Sequence, residues 1–248
     1  MTKNWKRRSY GTGPARAAAA ALTALLAVLT AGAAPAAADA KPPGPASGPA
    51  SGFDFGACPA VDELPAGADP GTWRCEVMRA TGRLRVGRVD EPIDRPMTLT
   101  FAEGRVDGEF AQVFGEMTAE PIRVGGTPLT LTPRYGGYAD FQSDDERRGE
   151  LDLTLAVRGP LLPRGCSIGG AATGPVHLVL KDTRPTEVIS EDPTVVSFGA
   201  ADAEFAAPRT DGCGRLGGGI LDRVLDLPAP AGENRLELDA TVAIRQYA

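Results

Sequence analysis

Near the end of the chain, Leu236, Leu238, Ala240, Val242 and Ile244 are apolar, and Glu237, Asp239, Thr241 and Ala243 stand between them. Side chains of an extended strand point alternately to its two faces, so such a run predicts a strand with one buried face. The pattern recurs. Met78, Ala80, Leu84 and Val86 alternate with Arg79, Thr81, Arg83 and Arg85; Met97, Leu99 and Phe101 with Thr98 and Thr100; Leu129 and Leu131 with Thr130 and Thr132; and Leu151, Leu153, Leu155 and Val157 with Asp152, Thr154 and Ala156. Shorter candidates lie at 109–114, 175–180 and 194–198. Turn signals punctuate them: Glu103-Gly104, Gly125-Gly126, Gly136-Gly137, Gly159-Pro160 and Ala231-Gly232. One segment reads as helix, with Ile220, Leu221, Val224 and Leu225 on one face between Gly217-Gly218-Gly219 and Pro228. The spacing predicts an all-β fold: an antiparallel β-sandwich or barrel-like domain with one short helix near 219–226 and two disulfides.

The first residues carry an export pattern. Lys3, Lys6, Arg7 and Arg8 precede an Ala/Leu-rich stretch that ends in A-x-A sequences at Ala38 and Ala40, which predicts a signal peptide over 1–38. Residues 39–52, DAKPPGPASGPASG, form a Pro/Gly/Ser-rich tether with nothing to bury. A single secreted β domain is expected over 53–248, with no stable membrane anchor after cleavage. The chain has 26 basic and 32 acidic side chains; residues 1–38 hold five of the basic and none of the acidic, so cleavage moves the net charge from −6 to −11. An acidic chain of this kind repels nucleic acid and anionic membranes at long range, which argues against both as partners.

Cys58, Cys75, Cys166 and Cys213 all lie beyond the signal. An even count in an exported chain predicts two disulfides, and three pairings are possible. Pairing sequence neighbours, Cys58 with Cys75 and Cys166 with Cys213, is favoured; the loop-entropy model values these closures at about 3 and about 4 kcal/mol. No C-x-x-C spacing occurs and the only histidine is His177, so neither a metal nor another cofactor is expected.

"GCSIGG", residues 165–170, fits the G-x-S-x-G pattern of serine hydrolases. A nucleophile elbow needs a strand before the serine and a helix after it. Ser167 instead follows Pro163, Arg164 and a cysteine, and precedes two glycines and a strand. The base would be His177, with an acid such as Asp182 or Asp211. The expected reading is a turn anchored by Cys166; an esterase using Ser167 and His177 is the alternative. Arg79, Arg83 and Arg85 form a basic stripe on an acidic protein, either a solvated face paired to carboxylates or a site for an anionic ligand. Trp73, Tyr135, Tyr138 and Phe141 offer stacking surfaces, with Tyr135 and Tyr138 the better exposed pair and Trp73 expected in the core. Residues 144–148, DDERR, read as an exposed hairpin loop without the alternating oxygen spacing of a calcium site.

The elements "PRGCSIGG", "PVHLVL", "EFAAPRTDGCG" and "LDLPAPAGENRLEL" occur in that order between Gly159 and about Val242. This third of the chain resembles a group of uncharacterised secreted actinobacterial proteins that share a G-x-x-C-x-I-G turn, a P-V-x-L-x-L strand, an F-A-A-P-x-x-x-G-C-G segment and an L-P-x-P-A-G-x-N ending. The resemblance implies that Cys166 pairs with Cys213 and that the fold is a secreted β domain. It implies no activity. In the group an aromatic residue usually stands where Ser167 stands, which makes the G-x-S-x-G match incidental.

The expected function is therefore a non-catalytic binding or interaction module of the extracellular space or cell envelope, free or wall-associated. Its partner is an envelope component, an apolar small molecule held between the sheets, or another protein.

Overall fold

The computed structural model describes residues 52–247. The expected signal peptide over 1–38, and the tether over 39–52 except Gly52, lie outside the described residues. Eleven antiparallel strands and one helix follow: β1 (Arg74–Val86), β2 (Val89–Val106), β3 (Glu109–Thr118), β4 (Ile122–Arg123), β5 (Thr130–Asp140), β6 (Gly149–Arg158), β7 (Ser167–Ile168), β8 (Val176–Glu191), β9 (Thr194–Asp202), β10 (Thr210–Asp211), α1 (Gly217–Leu225) and β11 (Arg235–Gln246). The fold is the expected antiparallel all-β domain, sandwich-like or barrel-like, with one short helix; its sheet is not closed by backbone pairing.

The ladder runs from β3 through β2, β1, β11, β9 and β8 to β6, which pairs on its other side with β5. β7 continues beside the second half of β6, with β10 beyond it. The inward residues of the alternating runs, among them Leu84, Leu99, Leu131, Leu155, Leu178 and Leu236, form one continuous apolar core. No backbone ladder joins β3 to β5. Side chains close that seam instead. The Phe114 ring stacks on Tyr135 with centroids 3.7 Å apart, and Gln112 Oε1 accepts a hydrogen bond of 2.9 Å from the Phe141 amide.

Two expected turns lie inside strands. Gly104 is within β2, where the buried Trp73 ring lies flat against it; a Cβ there would meet the indole at 2.5 Å. Gly136-Gly137 is within β5, at a bulge that shifts the register from Tyr135↔Leu153 to Ala139↔Leu151, with Gly137 at φ +110°. Gly104 marks a close approach and Gly136-Gly137 a bulge, for which sequence offers the same signal as for a turn. Gly125-Gly126 and residues 144–148 are in loops as expected.

α1 buries a narrower face than its sequence suggests. Leu221 and Leu225 are buried, but Ile220 and Val224 are exposed. The remaining inward position is Asp222, whose carboxylate accepts from the Thr210 amide (2.8 Å) and hydroxyl (2.9 Å) and so pins the helix to β10.

Both favoured disulfides are present. Cys58–Cys75 ties the segment before β1 to that strand, and Cys166–Cys213 ties the residue before β7 to the loop after β10. The leading segment runs across the outer face of β1 and β11. Phe55 lies under the Arg245 guanidinium at 4.5 Å, and Tyr247 donates to the Pro59 carbonyl at 2.7 Å. The asparagine that ends L-P-x-P-A-G-x-N is Asn234, which is fully buried. Its amide donates to the Phe205 and Pro230 carbonyls at 3.0 Å each, and its carbonyl accepts from the Gly87 amide at 3.0 Å.

Candidate functional site

The alternation of β1 places Arg74, Glu76, Met78 and Ala80 in one inward row. Antiparallel register then sets each against specific neighbours. Met78 faces Leu99 of β2 and Val242 of β11, Glu76 faces Phe101 and Ile244, and Arg74 faces Glu103. Beyond Met78 the barrel is filled. Above it Glu76, Met78, Phe101, Glu103, Val242 and Ile244, with Leu180 of β8 and Phe198 and Ala200 of β9, line a cavity of about 180 Å³. It opens at the end of the barrel beside Arg74, whose side chain is 45% exposed. Phe141, Ser143, Arg148 and Thr186 complete its rim. Small side chains make the space: Ala200 and Ala240 stand where larger residues would fill it. A dry cavity of about 150 Å³ admits a benzene ring, so this one is large enough for a single-ring molecule.

The rim carries an unbalanced charge. Arg74 donates from both Nε (3.0 Å) and Nη2 to Glu103 Oε1, and Gln112 donates to the other Glu103 oxygen at 3.1 Å. Glu76 is buried, with 8% of its surface exposed. Its Oε1 sits 2.7 Å from Arg74 Nε, but that N–H is directed at Glu103, so Oε1 accepts no hydrogen bond. Loss of solvation, and then the neighbouring Glu103 charge, push the Glu76 carboxyl from 4.5 up to about 7. Arg148, the other cation of the rim, is already taken: it grips Asp182 through two bonds of 2.7 and 2.8 Å and lies over the Phe198 ring at 4.6 Å.

The residues singled out by sequence lie elsewhere. Ser167 is buried in β7, opposite Ala156 of β6. His177 is exposed on β8, opposite Asp152 of β6. Those two positions of β6 are four residues apart, about 13 Å at strand rise. The structure therefore brings no imidazole to the Ser167 hydroxyl, and the chain after Ser167 turns into β8 and not into a helix. The carboxylate paired with His177 is Asp152, at 2.8 Å from Nδ1, and not Asp182 or Asp211. Asp182 holds Arg148, and Asp211 accepts from the Ala172 amide at 2.9 Å.

In the basic stripe, Arg83 and Arg85 both bond Asp90, at 2.6 and 2.9 Å, while Arg79 reaches the Gly52 carbonyl at 3.3 Å. Tyr135 is half-buried in the β3–β5 seam. Tyr138 is exposed and donates to Glu150 at 3.2 Å. Among the described residues, no group of three or more His, Cys, Asp or Glu side chains is arranged to hold a metal ion.

Sequence reasoning missed Glu76 and Glu103. The signal was present: Glu76 shares the parity of Met78 and Ala80, and Glu103 that of Met97, Leu99 and Phe101, so both acids continue an inward-facing row. No protein-family model, curated protein or solved structure matches the chain.

Proposed function

We propose that this protein is an exported binding module that holds a small, mainly apolar molecule in the mouth of its barrel. The observation that carries this reading is the cavity itself, about 180 Å³ of space walled by Met78, Phe101, Phe198, Ala240 and Val242 at an open barrel end. Pre-formed apolar recesses with a few polar groups at one side are the usual form of small-molecule sites. Export is supported by the signal pattern and by two disulfides, which persist in oxidising compartments. Kinship with the secreted actinobacterial group belongs to the same proposal, supported by the Cys166–Cys213 bridge and by the structural use of Asn234.

Thermal melts with benzyl alcohol test the reading. A ligand that binds only the folded state raises Tm with its concentration. The melting temperature should rise saturably with benzyl alcohol in the wild type and stay fixed in Ala240→Phe, whose ring fills the cavity. Equal responses from both proteins would remove the cavity as the site.

A further inference from the structure

We infer that the ligand of this mouth is a small primary amine, its ammonium seated on the Glu76 carboxylate and its apolar body below it against Met78 and Val242. This rests on the proposed binding function and adds the chemistry of the ligand's polar end.

Three observations lead to it. The first is the charge count at the mouth. Arg74 brings one positive charge to two carboxylates, and both of its side-chain hydrogen bonds go to Glu103. One negative charge is left over, on a side chain that is 92% buried by its 8% exposure. The second is the orphaned acceptor. Glu76 lines the cavity, while its Oε1, sealed against Arg74, receives no hydrogen bond, which is costly for a buried carboxylate oxygen. An ammonium in the cavity brings the missing positive charge to the side chain that lines it, with three donors to spend there. The third is the aromatic wall. Phe101 and Phe141, with centroids 4.7 Å apart, line the same mouth, and aromatic faces attract cations. An anionic ligand would meet Glu76 head-on, and Arg148, the one further cation at the rim, is neutralised by Asp182.

In the empty site Glu76 relieves the same imbalance by taking up a proton, since its carboxyl titrates at about 7. The charged and titratable groups around it are Arg74 on its own strand, Glu103 on β2 and Arg148 just before β6; Gln112 of β3 contacts Glu103, and β11 and β9 present the apolar Ile244 and Val196. The ammonium thus competes with a proton, and amine binding weakens as pH falls through that range.

Calorimetric titration of the signal-cleaved protein with benzylamine, benzyl alcohol and benzoate separates the possibilities, because the three share one ring and differ in charge. At pH 8 benzylamine should bind at least tenfold tighter than benzyl alcohol, with benzoate weakest. Glu76→Gln should bring benzylamine down to the affinity of benzyl alcohol. Lowering the pH to 5 should do the same to the wild type. Ala240→Phe should abolish binding of all three, and Ala200→Leu serves the same purpose from β9 should the first variant not fold. If benzyl alcohol binds as tightly as benzylamine, the cavity reading survives and the amine inference fails. A benzylamine preference that persists in Glu76→Gln, or in the filled cavity, overturns it as well, since it would then reflect attraction to an acidic surface. If none of the three binds, the binding function fails with it.

Discussion

Arg74 Nε lies 2.7 Å from Glu76 Oε1, yet gives its hydrogen to Glu103. Glu76 therefore has a counter-charge beside it but no bond to it, and burial keeps its carboxyl protonated up to about pH 7. The unfolded chain releases that proton near 4.5, the ordinary value. Between those two values the folded state holds one proton more than the unfolded state, so this group's contribution to stability is full below about pH 4.5 and is lost as pH rises to about 7. The difference is on the order of 3 kcal/mol. Urea unfolding at pH 5 and pH 8 should show this decline in the wild type. Glu76→Gln, which cannot ionise, should reduce it and should be the more stable of the two at pH 8. Parallel pH profiles for the two proteins would contradict the electrostatic account.

The seam between β3 and β5 rests on side chains, and the Phe114–Tyr135 stack is its largest contact. A double-mutant cycle with Phe114→Ala and Tyr135→Ala should give a coupling of about 0.5–1.5 kcal/mol, the range for aromatic pairs beyond their burial. Additive effects would mean that the rings share only a neighbourhood.

The strands were legible because alternation records which face is buried. β1, β6 and β11 lie within a few residues of their alternating runs for this reason. Two features were hidden. The polar half of β8, from Lys181 onward, pairs with β9 through several register shifts, and a strand facing solvent leaves no apolar trace. The cavity depends on strands distant in sequence meeting around a shared space, and a pair of alanines looks the same whether a neighbour fills the gap or leaves it. The acids were readable by parity alone, whereas "GCSIGG" drew attention through a local pattern that the surrounding fold gives no base.

Asn234 joins three loops from the barrel interior, with its amide shared among the Phe205, Ala229 and Pro230 carbonyls. Asn234→Ala leaves the Phe205 carbonyl and the Gly87 amide without this partner. The expected loss is about 1–3 kcal/mol for each group that water does not reach, read by chemical denaturation. A loss below about 0.5 kcal/mol would show that solvent replaces these bonds.

Ser167→Ala should leave any ester hydrolysis by the purified protein unchanged, since Ser167 is buried and four strand positions from His177's level on β6. The double variant Cys166→Ser/Cys213→Ser should instead lose about 2–5 kcal/mol of stability. A rate loss of several orders of magnitude on Ser167→Ala, with the melt unmoved, would assign the serine a catalytic role.

The claim that the barrel mouth is a binding site is tested most directly at the atoms that wall it. The methyl resonances of Met78, Ala240 and Val242 can be followed by NMR while benzylamine is added at pH 8. These methyls should shift together and saturate, with Leu84 on the far side of the core unmoved, and the shifts of Met78 and Val242 should vanish in Ala240→Phe. Static resonances through the titration, or shifts confined to surface methyls, would contradict the account.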